Sequence, residues 1–134
     1  RLIGAGGAGS AIALALLETG VARLVVTDRD AARAEDLAGR LRASFADRMV
    51  ATVPPADLRC ALICNATPAG MNGDTSHPFP LDELPSDCIV ADIVPYPPMT
   101  PWLQAAVTRG HRVQTGPEMV RAQLPEILAF LDLW

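Results

Sequence analysis

One short run constrains this chain more than any other: Gly4-Ala5-Gly6-Gly7-Ala8-Gly9, placed directly after the apolar Leu2-Ile3 and directly before a small-residue stretch, Ser10 to Thr19 (SAIALALLET). A strand that ends on glycine and turns at once into a helix is the βα joint of a parallel sheet. The spacing Gly4-x-Gly6-x-x-Gly9 gives each glycine a mechanical task. The first permits a tight turn, the second lets the backbone approach a bound group closely, and the third lets helix and strand pack together. The helix that follows presents unpaired N–H groups and the positive end of its dipole, which suits an anion such as a pyrophosphate. An Ala/Gly-rich tight turn can carry the same letters without binding anything, so the rest of the chain has to decide.

Strand and helix signals alternate along the remaining sequence. Arg1 to Ile3 reads as the end of a first strand, and Gly20 stops the first helix. Arg23 to Thr27 (RLVVT) has the continuous apolar, β-branched character of a buried parallel strand. From Ala31 to Phe45 the apolar residues Ala34, Leu37, Ala38, Leu41 and Phe45 recur at helical spacing, with Asp30 placed as N-cap. Met49 to Val53 reads as a short strand ended by Pro54-Pro55, and Cys60 to Asn65 as another buried one. A long Pro-, Gly-, Asn- and Asp-rich loop is predicted from Ala66 to Pro85, a length usually tied to function or mobility. Cys88 to Val94 returns to strand. Thr100-Pro101 opens a helix through Thr108, Arg112 to Gln114 is a last strand, and Glu118 to Trp134 a final helix with a kink expected at Pro125. About six strands with helical crossovers predict an α/β fold: a Rossmann-type, doubly wound parallel sheet with helices on both faces and its ligand edge at the carboxyl ends of the strands.

Bulk properties narrow the partners. The 134 residues suit one dinucleotide-binding domain spanning 1–134, and the formal charge of -4 with no basic run argues against nucleic acid or an anionic membrane surface. No stretch is long and apolar enough to span a bilayer. A small molecule is the expected partner, and an oligomer is possible. Cys60, Cys64 and Cys88 make an odd count without a CxxC, which points to a reducing compartment, by default the cytoplasm, and to no metal site. Cys60 and Cys64, four apart in one strand, are expected on the same face. Because Arg1-Leu2-Ile3 runs straight into the glycine turn with no Met before it, we expect a fragment of a longer protein.

Asp28 strengthens the dinucleotide reading. A carboxylate at the end of the second strand, about 20 residues beyond the glycines, is what a ribose 2′-hydroxyl calls for. Its charge would repel a 2′-phosphate, so NAD is expected over NADP, although Arg29 beside it could instead clamp that phosphate.

The distal half then supplies a set of motifs: Asn65-Ala66-Thr67-Pro68-Ala69-Gly70-Met71, Gly73-Asp74, Asp92-Ile93-Val94 with Thr100-Pro101, and Gly116-x-x-Met119-x-x-x-Gln123. Together with GAGGAG and DRDAARAEDLA, they resemble the shikimate/quinate dehydrogenase family in order and spacing, over essentially the whole chain. The resemblance implies the cofactor domain of an oxidoreductase that moves hydride between a nicotinamide cofactor and a hydroxylated cyclohexene or cyclohexane carboxylic acid. It places Ala5, Gly6, Gly7 and Ala8 along the pyrophosphate, and Asp28, Arg29 and Arg33 around the adenosine ribose. Asp28 stands where NADP-dependent members carry a neutral amide. Thr67 and Pro68 would line the ribose and nicotinamide side, Ile93 and Gly116 would contact the nicotinamide, Met119 would pack nearby, and Gln123 would reach the substrate's hydroxyls.

The family's catalytic Lys and Asp belong to a substrate domain preceding the glycine turn, and this chain has no lysine. No catalytic residue is therefore expected here, and the chain alone is expected to be inactive. Where the family has a substrate-contacting tyrosine three residues after the strand aspartate, this chain has Pro95, with Tyr96 one position later. A divergent substrate is therefore as plausible as the usual one. The competing readings are a non-catalytic dinucleotide-binding or sensing module and, more remotely, a methyltransferase using S-adenosylmethionine.

Overall fold

The computed structural model describes residues 1–132. Its elements run β1 (Leu2–Ile3), α1 (Gly7–Glu18), β2 (Arg23–Thr27), α2 (Ala31–Ser44), β3 (Met49–Ala51), β4 (Leu62–Asn65), a 3-10 turn (Leu81–Glu83), β5 (Ile89–Asp92), α3 (Pro101–Thr108), β6 (Val113–Gln114) and α4 (Gly116–Phe130). The six strands form one sheet in the order β3-β2-β1-β4-β5-β6. Every neighbouring pair is parallel. This is the Rossmann order, with the chain reversing its direction of travel across the sheet at β1.

Alternation along the strands divides the interior into two layers. Leu2, Leu24, Val26, Cys64 and Ala91 face one way and meet Ala13 and Leu17 of α1 and Leu37, Ala38 and Leu41 of α2. Ile63 and Val90 face the other way, onto Trp102, Leu103 and Ala106 of α3 and Leu81 of the 3-10 turn. Burying a side chain such as Leu37 or Leu103 contributes roughly 1.5–3 kcal/mol. α4 returns to the first face, where Met119 packs against that layer.

The helices start and stop where local chemistry dictates. Asp30 caps α2 by accepting from the N–H groups of Ala32 and Arg33 at 3.1 and 3.3 Å. Phe45, expected inside α2, is its C-cap residue. Thr100 caps α3, with Pro101 in its first turn. α1 begins at Gly7 rather than Ser10, because the glycine run itself forms the first helical turn. α4 begins at Gly116 rather than Glu118: Thr115 and Glu118 form a reciprocal capping box, which moves the start back by two residues. The helix runs through Pro125 to Phe130, and the expected extension to Leu133 and Trp134 lies outside the described residues.

Two expectations fail. The β3 to β4 connection contains no helix, and β4 to β5 only the 3-10 turn, so helical crossovers are fewer than predicted. Pro54-Pro55 and the prolines of the long loop explain this, since they deny the backbone N–H groups a helix needs. Cys60 and Cys64 also face opposite layers, because β4 starts only at Leu62 and Cys60 precedes its pleat. Among the described residues, no helix is long and apolar enough to cross a membrane.

Candidate dinucleotide site

The turns after β1 and β4 diverge at the point where strand order reverses, and a cleft of about 660 Å³ opens between them. Gly4 and Gly6 form its floor, Thr27, Asp28, Arg29 and Arg33 one wall, and Ala66 to Ala69 with Asp74, Ser76 and Pro78 the other. The end of a βα turn at such a switch point is where parallel α/β sheets bind ligands.

Backbone alone builds the floor. Gly9 is buried, and a Cβ there would collide with the Gly4 carbonyl oxygen, so α1 can sit this close to β1 only with glycine at this position. Gly6, Gly7 and Ala8 are exposed at the helix start. No side chain caps α1 and no acidic residue lies in its first turn. The first-turn N–H groups thus have neither an intrahelical partner nor a competing carboxylate. That is a fitting cradle for a pyrophosphate. Ala5 behaves differently: it is buried, and its N–H donates to the Asp28 carboxylate at 2.8 Å, so it shapes the turn instead of offering a free donor.

Asp28 therefore ties β2 to the glycine turn. One oxygen accepts from Ala5 and the other from the Asp30 N–H at 2.9 Å. Partial burial pushes its pKa up, but these two N–H groups, with Arg33 and Arg29 nearby, outweigh that and hold the carboxyl below its ordinary range. Arg29 and Arg33 are exposed on the cleft wall. Neither has a carboxylate partner among the described residues.

The opposite wall is held by side chains. The Asn65 amide oxygen accepts from the Thr67 N–H at 3.0 Å and the Thr67 hydroxyl at 2.6 Å. Ala69 N–H then donates to the Thr67 hydroxyl at 3.2 Å. Asp74 accepts from Gly70 N–H and from both the N–H and hydroxyl of Ser76, which holds its carboxyl below the ordinary range.

The remaining candidates lie beyond the cleft lining. Ile93 is half-buried and packs, like Met119, against the first layer. Gly116 is buried, and a Cβ there would strike the Val94 carbonyl oxygen, so glycine lets α4 start directly against the end of β5. Gln123 is exposed on α4. Sequence reasoning passed over Asp74 and Ser76 as cleft residues, although an Asp followed two residues later by Ser is a recognisable side-chain turn. It also passed over the pairing of Asn65 with Asp92. The signal was present: two polar residues closing otherwise apolar strands must find partners when buried.

Residues 1–59 match the family model described as shikimate / quinate 5-dehydrogenase. An NADP(+)-dependent shikimate dehydrogenase of Rhodopseudomonas palustris is 35% identical over 99% of this chain and 47% of its own length. Among solved structures, quinate dehydrogenase of Corynebacterium glutamicum in complex with NAD superposes with a TM-score of 0.78 at 33% identity, covering 89% of this chain and 44% of that one. The shikimate 5-dehydrogenase of Thermus thermophilus, in complex with NADP(H) and shikimate, gives 0.72 at 35% identity, covering 89% and 43%. The chain thus spans about half the length of the relatives it matches.

These relatives overturn the expected preference for NAD over NADP, since the matched shikimate dehydrogenases are NADP(+) enzymes although they share this fold with an NAD-bound quinate dehydrogenase. The physical reason is visible in the turn. Both oxygens of Asp28 are engaged by backbone N–H groups, and Arg29 and Arg33, without a carboxylate partner among the described residues, line the same wall, so the acid does not by itself exclude a phosphate. In its strand order, its glycine turn and a match running along nearly its full length, the chain is similar to the cofactor-binding half of the shikimate / quinate 5-dehydrogenases.

Proposed function

We propose that this chain is the dinucleotide-binding domain of an oxidoreductase of the shikimate/quinate type, and that it takes NADP through Arg29 and Arg33. The observation that carries the reading is the uncapped start of α1 opening into a cleft with two unpaired arginines at its edge. When bound, the nicotinamide supplies hydride exchange with a secondary alcohol or ketone carbon of a cyclic hydroxy acid. The chain's own residues do the positioning. First-turn N–H groups of α1 receive the pyrophosphate, Arg29 and Arg33 hold the 2′-phosphate, and Thr67 and Pro68 bound the far side of the cleft. Ile93, Gly116 and Met119 set the nicotinamide end, and Gln123 reaches a substrate hydroxyl. Proton transfer belongs to residues outside this chain, which contains no lysine.

Fluorescence titration of the chain with NADPH and NADH tests the cofactor half of this reading. Replacing Arg29 and Arg33 together by Ala should weaken NADPH binding by roughly tenfold or more, and leave NADH nearly unchanged. Equal loss for both cofactors would remove the arginines from phosphate recognition. The reaction is tested on the full-length polypeptide by following reduced nicotinamide with shikimate and with quinate. No turnover with either would reject the substrate class.

A further inference from the structure

Asp92 is a carboxylate with no exposed surface, at the end of a strand in the middle of the sheet. No arginine pairs with it among the described residues. Burial pushes its pKa up, against the hydrogen bonds that favour its ionised form. A lone buried acid is costly, so the groups it holds are informative.

Three donors converge on it. One oxygen accepts from the Asn65 side-chain amide at 3.0 Å and the Val94 N–H at 3.1 Å, and the other from the Thr100 hydroxyl at 2.9 Å. Asn65 lies directly across the β4–β5 ladder from Asp92 and is equally buried. A carboxylate can only accept, so Asp92 fixes which end of the Asn65 amide faces it. The NH₂ must turn inward, and the amide oxygen is left facing Thr67, where it takes both the Thr67 N–H and its hydroxyl. The hydroxyl in turn takes the Ala69 N–H. An acid remote from the cleft lining is thereby linked through one amide to the wall formed by Thr67, Pro68 and Ala69. Thr100 backs the same wall, its side chain packing closely against Gly70, which holds a positive φ of 90°.

We propose that Asp92 is a positioning residue for dinucleotide binding: by orienting Asn65 it holds the Thr67–Ala69 wall in its binding geometry before any ligand arrives. The inference rests on the dinucleotide reading of the cleft. Preorganisation of this kind improves affinity without a new contact, because the loop no longer loses freedom on binding.

Asp92→Asn tests it with little change of shape. If its oxygen keeps Asn65 and Val94, its NH₂ faces the Thr100 hydroxyl, which must then stop donating while it already accepts from Leu103 N–H. In the other orientation the NH₂ meets the Asn65 NH₂. The expected result is faster hydrogen exchange at the Thr67 and Ala69 amides, with α1 and β2 amides unchanged, and NADPH binding weakened roughly tenfold. Thr100→Val, which keeps the carboxylate and removes one donor, should give the same exchange pattern to a smaller extent and serves if Asp92→Asn does not fold. Wild-type exchange at Thr67 and Ala69, or acceleration spread evenly across the sheet, would overturn the proposal. If the wild-type chain binds no NADPH, the dinucleotide reading fails, while the exchange pattern still decides whether Asp92 holds the wall.

Discussion

The two sides of the cleft, the glycine floor with Asp28 behind it and the loop after β4, reach the same end by opposite means. The glycine turn after β1 is shaped by backbone and by the absence of side chains, with Gly9 packed against Gly4, the Gly4 N–H bonded to Thr27, and Asp28 pinning the Ala5 N–H. The loop after β4 is shaped by side chains, through a chain of hydrogen bonds running from Thr100 and Asp92 through Asn65 to Thr67. The first has no room for a side chain at Gly4 or Gly9; the second depends on each group it holds.

The largest effect expected from this difference is at Gly9. Gly9→Val should cost at least the upper end of the roughly 1–3 kcal/mol seen for overpacking and abolish dinucleotide binding, because the colliding atom is backbone and cannot turn aside. Denaturant unfolding with an NADPH titration measures both losses. A variant that folds and binds normally would show that the turn relaxes.

On the other wall, removing a group should do the damage. Asp92→Ala strands the Asn65 amide, the Val94 N–H and the Thr100 hydroxyl, and should lower unfolding free energy by about 1–3 kcal/mol or more in urea. A near-neutral result would mean that water replaces the carboxylate at no cost.

The walls should also respond oppositely to acid. Asp28 has a lowered folded pKa, so its stabilising contribution is present above the ordinary aspartate value and is lost as pH falls through the folded one. Asp92 has a raised folded pKa, so the folded state takes up its proton first, and this group favours folding as pH falls toward the ordinary value. Asp28→Asn should therefore flatten the acid limb of the stability profile, and Asp92→Asn should steepen it. Changes of the same sign in the two variants would break the comparison.

The smallest effect is expected at Gly7. A Cβ there meets nothing within 4 Å, so Gly7→Ala should change stability by no more than about 0.5 kcal/mol. A large loss would imply crowding in the turn beyond the close approaches at Gly4 and Gly9.

The same division explains what was legible in the sequence. A backbone-built turn is written in consecutive residues, so Gly4 to Gly9, the α2 cap at Asp30 and the alternating elements could be read directly, and they led to the correct sheet class. The side-chain-built wall joins Asn65 to Asp92, 27 positions apart, and to Thr100 beyond it, and no local pattern announces such a pairing. Asp92 was visible only as part of a family motif. The preference for NAD failed for a related reason: Asp28 was weighed by its charge, whereas its action depends on the N–H groups of Ala5 and Asp30, which only the fold brings to it. The last helix was read from Glu118, two residues late, because its start depends on the reciprocal bonds between Thr115 and Glu118 that the fold completes.

The ladder at the centre of the sheet also bears on how the molecule opens. Within the sheet, the ladder joining β2 to β4 runs through Leu2 and Ile3, which pair with Val26 and Thr27 on one side and Cys64 and Asn65 on the other. A seam two residues deep is where partial unfolding should divide the domain into a β1–β3 half and a β4–β6 half. A molecule lying in the cleft touches both sides of that seam, Arg33 on one and Thr67 on the other. Its binding should act as a clasp that suppresses this division before it stabilises either half, so that ligand-dependent protection is greatest along β1.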